Sequence, residues 1–252
     1  MIRLKIRGLF CDYDGTLAPL NVPRNRSAVP PSLARTLWRI HGSVPVAIVT
    51  AKDYASVGGR TPFADAWACV YGVETILKEG ERRVATPLPD FARVLELARG
   101  MPNHPFIEVK RTSAGEVCGV CIEWRRRGAP AAESLDTNIA RIRRLGLQVL
   151  YYSLYPMLDI IPQRHDKGVA VGVLRDMLGI NGMVMYIGDT PADNPAFALA
   201  DVGIGIQNDW SKGTLDCDFY VTRNRLGSFL AALFENGLEF SPDLPGIRPR
   251  GR

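Results

Sequence analysis

Apolar and polar positions along the chain fall into two rhythms. In the first, short apolar runs alternate with helical stripes. Leu9 to Asp14 reads as a buried strand that stops at the Asp14-Gly15 turn. Pro30 and Pro31 precede a helix with Leu33, Leu37 and Ile40 on one face, ending near Gly42. Val44 to Thr50 is a continuous apolar run, as expected for a strand buried on both faces. Ala66 to Tyr71 is a further strand candidate. Strand alternating with helix predicts a parallel α/β sheet.

After about Gly80 the second rhythm begins. Phe91, Val94, Leu95 and Ala98 form a helical face. Phe106 to Lys110 and Val117 to Arg125 alternate apolar with polar, as half-exposed strands do. Leu135, Ile139 and Ile142 mark another amphipathic helix, and Gln148 to Pro162 reads as one long strand. This is the pattern of a small α+β module set into a larger fold. From Lys167 the first rhythm returns. A helix carries Ala170, Val173, Leu174 and Met177, and an apolar strand from Met183 to Ile187 stops at Gly188-Asp189. Val202 to Ile206 and Phe219 to Thr222 are further strands, and Leu226 to Phe234 a last helix. Residues 241–252 read as a loose tail.

Composition sharpens the picture only in part. With 252 residues, 46% hydrophobic and 23% charged, the chain has room for a core domain and a smaller second one. The five cysteines are scattered and odd in number, which suggests a reducing compartment rather than a disulfide framework. No signal peptide or membrane-length apolar run is evident, so a cytoplasmic place of work is expected. The net charge of +5 suits an anionic partner. Arg125, Arg126 and Arg127 and the basic C-terminus lack the aromatic interleaving of a nucleic-acid surface, so neither nucleic acid nor membrane is an expected partner. A monomer or weak dimer is expected.

Four polar clusters fall at predicted strand ends, where a doubly wound sheet binds its ligands. They are Asp12-Tyr13-Asp14-Gly15-Thr16, then Thr50, then Lys167 opening a helix, then Gly188-Asp189 with Asp193 and Asn194. A carboxylate pair beside a glycine turn can divide two tasks. One carboxylate attacks phosphorus and becomes an acyl phosphate; the other gives a proton to the leaving alcohol, then takes one from water. A simple Asp-Gly turn is the plainer use of the same residues. A calcium loop is excluded, because the glycine comes too soon. Asp189 and Asp193 suit magnesium, a hard cation that prefers oxygen ligands, together with Asp12 and the Asp14 carbonyl. Helix capping is compatible with that role. A lysine at a helix start opposes the macrodipole, and neutralising a phosphate and Asp12 would account for Lys167 there; an exposed surface lysine is the plainer reading of the residue alone. Thr50 offers a hydroxyl to a phosphate oxygen, or simply fills a strand. Cys118 and Cys121 form a CxxC without a second pair, so zinc is not expected.

In this order the motifs resemble those of the haloacid dehalogenase-like superfamily: DxD at the first strand, Ser or Thr at the second, a later Lys, and a final acidic cluster. The resemblance implies Asp12 as nucleophile and Asp14 as general acid and base. Thr50 and Lys167 would bind phosphate, and Asp12, Asp14, Asp189 and Asp193 would serve the magnesium cofactor. It further implies a Rossmann-like parallel-sheet core of α/β class with an inserted α+β cap of C2 type. Residues 1–84 and 160–240 would form the core and 85–159 the cap. Two stretches, LDIIPQRHDKGVAVGVL and YIGDTPADNPAFALAD, are similar to trehalose-6-phosphate phosphatases. That likeness places Glu108, Lys110, Trp124, Arg125 and Asp159 of the cap against a sugar phosphate. Trehalose 6-phosphate is the leading candidate, followed by mannosyl-3-phosphoglycerate and sucrose 6-phosphate. A phosphomannomutase-like phosphotransferase and a non-catalytic sugar-phosphate binder are the alternatives. The chain departs from the family at two places. Thr50 is followed by Ala51-Lys52 instead of Gly-Arg, and Asn194 stands where the family has an acid.

Overall fold

A computed structural model of the chain describes residues 4–20, 22, 26–124, 131–152, 156–208 and 214–250. Strand and helix alternate from the start: β1 (Leu4–Cys11), α1 (Pro31–His41), β2 (Val46–Val49), α2 (Tyr54–Val57) and β3 (Ala66–Cys69). A hairpin of β4 (Glu74–Leu77) and β5 (Arg82–Val84) follows. The second module comprises α3 (Ala92–Arg99), β6 (Phe106–Arg111), β7 (Val117–Glu123), α4 (Ala132–Arg144), β8 (Leu147–Tyr152) and β9 (Met157–Pro162). Alternation resumes with α5 (Lys167–Met177), β10 (Met183–Gly188), α6 (Asn194–Leu199), β11 (Val202–Gln207), β12 (Phe219–Thr222) and α7 (Arg223–Glu235). Two short strands, β13 (Glu239–Phe240) and β14 (Ile247–Pro249), complete the order.

The core sheet runs β14-β12-β11-β10-β1-β2-β3-β4-β5, parallel from β12 through β3 and antiparallel at both edges. Its strands are apolar on both faces because both faces are covered. Leu9, Cys11, Ile48 and Ile187 face α1 and α7, which bring Leu33, Leu37, Phe229 and Leu233. Phe10, Val49 and Tyr186 face α5 and α6, which bring Ala170, Leu174 and Phe197. The chain leaves β1 toward β2 on one side and returns to β10 on the other. The strand order therefore reverses between β1 and β10, and this is where the crevice of such a sheet opens.

The second module is a four-stranded antiparallel sheet, β6-β7-β9-β8, with α3 and α4 on one face. Val120, Ile122, Leu158 and Ile160 point to those helices and meet Val94, Leu135, Ile139 and Ile142. The residues between them point the other way, toward the core. This is the alternation expected of β6 and β7.

Three expectations need correction. Gln148 to Pro162 is not one strand but the β8–β9 hairpin, in which Leu147 pairs with Pro162 and Tyr152 with Met157. The turn-favouring Ser153 and Pro156 between the strands marked the reversal, and the apolar and aromatic residues around them masked it. β9 pairs along its length within the smaller sheet and so runs past the expected boundary at 159. The C-terminal stretch is not loose through residue 249, because β14 pairs with β12. Leu244 and Ile247 pack against the core there, on a strand too short to show a period.

Candidate active site

Two buried strand ends meet where the strand order reverses. Asp12 follows β1 and Asp189 follows β10. The Asp12 amide donates to the Ile187 carbonyl at 2.8 Å, holding the two ends in register. Thr16 Oγ1 reaches both carboxylates, Asp12 Oδ2 at 3.3 Å and Asp189 Oδ1 at 3.5 Å. Gly15 permits this closeness. It sits at φ +84°, and a Cβ there would lie 2.0 Å from Asp189 Oδ2.

Lys167 is the first residue of α5, whose N-cap Asp166 accepts a hydrogen bond from the Val169 amide. The buried Lys167 side chain bridges Asp12 Oδ1 and Asp193 Oδ1, each at 2.7 Å. Asp193 is wholly buried and heavily engaged. Its Oδ1 also accepts from the Tyr186 hydroxyl at 2.6 Å. Its Oδ2 accepts from the amides of Asp189 at 3.1 Å and Thr190 at 2.9 Å, and from the Thr190 hydroxyl at 3.1 Å.

Asp12, Asp189 and Asp193 bring carboxylate oxygens within 4.8 Å of one another. Burial raises the Asp12 carboxyl to about 7; Lys167 draws it down, while Asp193 and Asp14 push it up. Asp189 is raised well above the usual range, by burial first and then by Asp12 and Asp193. Burial disfavours the Lys167 ammonium, but Asp12 and Asp193 outweigh this and hold it above its ordinary value. One ammonium thus faces three carboxylates. A divalent cation between Asp12 and Asp189 would offset the surplus negative charge that burial now penalises.

Asp14 lies toward solvent and pairs with Lys52 Nζ at 3.2 Å. Thr50, buried at the end of β2, accepts on Oγ1 from the Lys52 amide at 3.1 Å. One tight loop therefore presents the Thr50 hydroxyl and the Lys52 ammonium to the same space. A cavity of about 160 Å³ lies above these strand ends. From the core it is lined by Asp12, Asp14, Thr50, Lys52, Tyr71, Lys167 and Asp189. From the smaller sheet it is lined by Glu108, Lys110, Cys121, Tyr152, Met157 and Asp159.

No protein-family model matches the chain. It is 26% identical over 220 residues to an uncharacterized glycosyl hydrolase of Mycobacterium tuberculosis, covering 79% of this chain and 16% of that protein. It is also 26% identical over 218 residues to a trehalose-phosphate phosphatase of Mycobacterium ulcerans, covering 79% of this chain and 53% of that one. The chain thus spans about a sixth and about half of the lengths of these two curated relatives. Among solved structures, a trehalose-6-phosphate phosphatase related protein superposes with a TM-score of 0.72 at 20% identity, covering 92% of this chain and 98% of the other. A phosphatase of the haloalkanoate enzyme superfamily from Bacteroides thetaiotaomicron superposes with a TM-score of 0.68 at 18% identity, covering 93% and 96%. The chain shares the fold of these haloacid dehalogenase-like structures. The smaller sheet with its two helices is the cap of that fold.

Within this haloacid dehalogenase-like frame, Asp12, Asp14, Thr50, Lys167, Asp189, Glu108, Lys110 and Asp159 come together around one cavity. Asp193 stands behind it, holding Lys167. Two cap expectations change. Trp124 faces the cap interior and donates its indole N–H to the Pro102 carbonyl at 3.1 Å, so it does not line the cavity. Lys110 and Asp159 are buried and ion-paired with each other, so part of the expected charged roof is a neutral pair. Arg125 lies outside the described residues. Three other participants carried no signal, Tyr186, Tyr71 and Tyr152, and Lys52 stood out only as a departure from the family's Gly-Arg. Tyr186 sits inside an apolar strand and reads as core, and Lys52 finds Asp14 only once two strand ends adjoin. Among the described residues no helix is long and apolar enough to cross a membrane.

Proposed function

We propose that the protein is a magnesium-dependent phosphatase that hydrolyses a sugar phosphate through an aspartyl-phosphate on Asp12. One observation carries this reading. A single cavity holds a buried carboxylate on Asp12 bridged to Lys167, a second carboxylate on Asp14 held by Lys52, and the Thr50 hydroxyl.

The roles follow from chemistry. An Asp12 oxygen attacks phosphorus and the bond to the leaving alcohol breaks. Asp14 gives that alcohol a proton; its pairing with Lys52 keeps its carboxyl turned to the cavity. Asp14 then takes a proton from the water that hydrolyses the acyl phosphate. Thr50 and Lys167 hold the phosphoryl oxygens, where charge-assisted hydrogen bonds are strongest. Asp193 keeps the Lys167 ammonium aimed at Asp12.

The donor set fits magnesium. Asp12 and Asp189 offer oxygens at the strand ends, and the Asp14 carbonyl is the third candidate ligand. Asp193 contributes by orienting Lys167, since each of its oxygens already accepts two or more hydrogen bonds, whereas each Asp12 oxygen accepts one. The cation supplies charge neutralisation that lets a dianionic ester approach carboxylates.

The sugar part of the reading rests on the cap face, where Glu108, Lys110, Asp159 and Tyr152 offer donors and acceptors suited to hydroxyl groups. Likeness to proteins named as trehalose-phosphate phosphatases makes trehalose 6-phosphate the leading candidate. The test is a panel of phosphate esters assayed with magnesium. Sugar phosphates are expected to exceed para-nitrophenyl phosphate in kcat/KM, with trehalose 6-phosphate first. Absence of turnover across the panel, or a preference for non-sugar esters, would overturn the reading.

A further inference from the structure

The loop after β3 carries a backbone feature that the reaction described above does not use. Val70 and Tyr71 sit at φ +49° and +58°, in the left-handed region. For a β-branched valine this is an outlier, and such conformations persist only where the surroundings impose them. Here the surroundings are the site itself. The Val70 amide donates to the Lys52 carbonyl and the Tyr71 amide to the Thr50 carbonyl, both at 3.0 Å. The next residue, Gly72, packs against Ala170 of α5, the helix that begins with Lys167. The strained turn is therefore fastened to both core elements that face the phosphate position.

The turn directs the Tyr71 ring across the core–cap boundary. Its hydroxyl donates to Asp159 Oδ2 on β9 at 2.7 Å and is hydrogen-bonded to the Tyr152 hydroxyl on β8. Asp159 is completely buried, and its other oxygen takes the Lys110 ammonium. Lys110 Nζ lies 5.8 Å from the centre of the Tyr71 ring. A buried carboxylate that lost the Tyr71 hydroxyl would regain a hydrogen bond most readily from water, which enters if the cap lifts.

We propose that Tyr71 is a positioning residue that docks the cap onto the core through Asp159, setting the Lys110–Asp159 pair relative to the loop that carries Thr50. Its consequence for catalysis rests on the sugar-phosphatase reading; the docking itself does not.

Two backbone amides report on docking without any substrate. The cap's Arg111 amide donates to Asp53 of the core at 3.3 Å, and the Ser113 amide donates to both oxygens of buried Glu74 at 3.0 Å. They are protected only while the cap sits down. The experiment is hydrogen exchange on the full chain and on Tyr71→Phe, which keeps the ring. Exchange at the Arg111 and Ser113 amides is expected to speed up about tenfold, the scale of losing one hydrogen bond to a charged group. Amides within β7 and β10 are expected to keep their wild-type rates. No change at Arg111 and Ser113, or equal acceleration in β10, would overturn the proposal; the latter would mark a merely structural role. Adding Tyr71→Phe to Asp159→Leu, which removes the acceptor, is expected to speed exchange no further, and additive effects would overturn the assignment to Asp159. In turnover, Tyr71→Phe is expected to raise KM for the sugar phosphate more than it lowers kcat, and a fall in kcat alone would count against it. A chain that turns over no ester would sink the phosphatase reading, while the exchange result would still decide the docking.

Discussion

Replacing Lys167 by methionine removes the one ammonium that faces the buried carboxylates, and the structure says how much this should cost and at which pH. Two ion pairs at 2.7 Å are lost. Asp193 keeps the Tyr186 hydroxyl and three donors from Asp189 and Thr190, so it stays satisfied. Among the described residues Asp12 keeps the Thr16 hydroxyl at 3.3 Å and the neighbouring Asp189 carboxyl, neither of which carries positive charge. The loss therefore falls on Asp12. In the metal-free parent its folded-state value, raised to about 7, exceeds its unfolded value. Stability from this group is thus complete below the unfolded value and is lost as pH rises through about 7. In the variant the folded value moves higher still, and Asp12 escapes the cost by keeping a proton. The pH-dependent part of the extra destabilisation is then close to zero at pH 6 and grows by about 1.4 kcal/mol per pH unit above neutrality, on top of a pH-independent loss from the Lys167–Asp193 pair. Its ceiling is the roughly 3–5 kcal/mol of a broken buried pair. Urea unfolding of both chains in chelator, at mildly acidic, neutral and alkaline pH, measures the difference directly. A gap that does not change with pH, or that shrinks as pH rises, would refute the reasoning.

Further expectations concern the same cluster and the cap. Magnesium should raise the melting temperature more at alkaline than at acidic pH, because in acid Asp12 and Asp189 hold protons the cation must displace; equal shifts would contradict this. Gly15→Ala should lose about 1–3 kcal/mol, from its left-handed backbone and from overlap with Asp189, and should weaken magnesium binding in a thermal-shift titration. Unchanged metal affinity would show that Asp189 is not a ligand. Glu108→Ala should depress kcat/KM for the sugar phosphate while sparing para-nitrophenyl phosphate, and equal losses on both would reject the cap as selector. Lys110 is the poorer test, since its removal leaves Asp159 as an unpaired buried charge.

The frame of the site was legible because parallel strands buried on both faces are continuous apolar runs, and the polar residue that ends each run stands out. Asp12, Thr50 and Asp189 stood out this way, whereas Lys167 alone reads as a surface lysine and was singled out by its place in the ordered set of motifs. Period-two alternation gave the correct face for Glu108 and Lys110. It could not show that Lys110 is neutralised, because Asp159 arrives from a strand far along the chain. Trp124 shares a parity with Val120 and Ile122, and that parity leads to the cap interior, against its family-based assignment. The β8–β9 reversal was signalled only by Ser153 and Pro156, isolated among apolar and aromatic residues and without a glycine. Tyr71 was invisible for a different reason. Nothing in Cys-Val-Tyr-Gly announces two consecutive left-handed residues, which exist only because Thr50 and Lys52 hold their amides.

The central claim is that phosphate passes through a covalent bond to Asp12. An acyl phosphate is reduced by borohydride to an alcohol, which would convert the acylated aspartate to homoserine. The decisive measurement is peptide mass spectrometry after the enzyme, turning over a sugar phosphate with magnesium, is quenched into borohydride. The account predicts homoserine at position 12, dependent on both substrate and magnesium and absent from Asp12→Asn. Phosphate release without modification of Asp12, or modification at Asp14 or Asp189 instead, would contradict it.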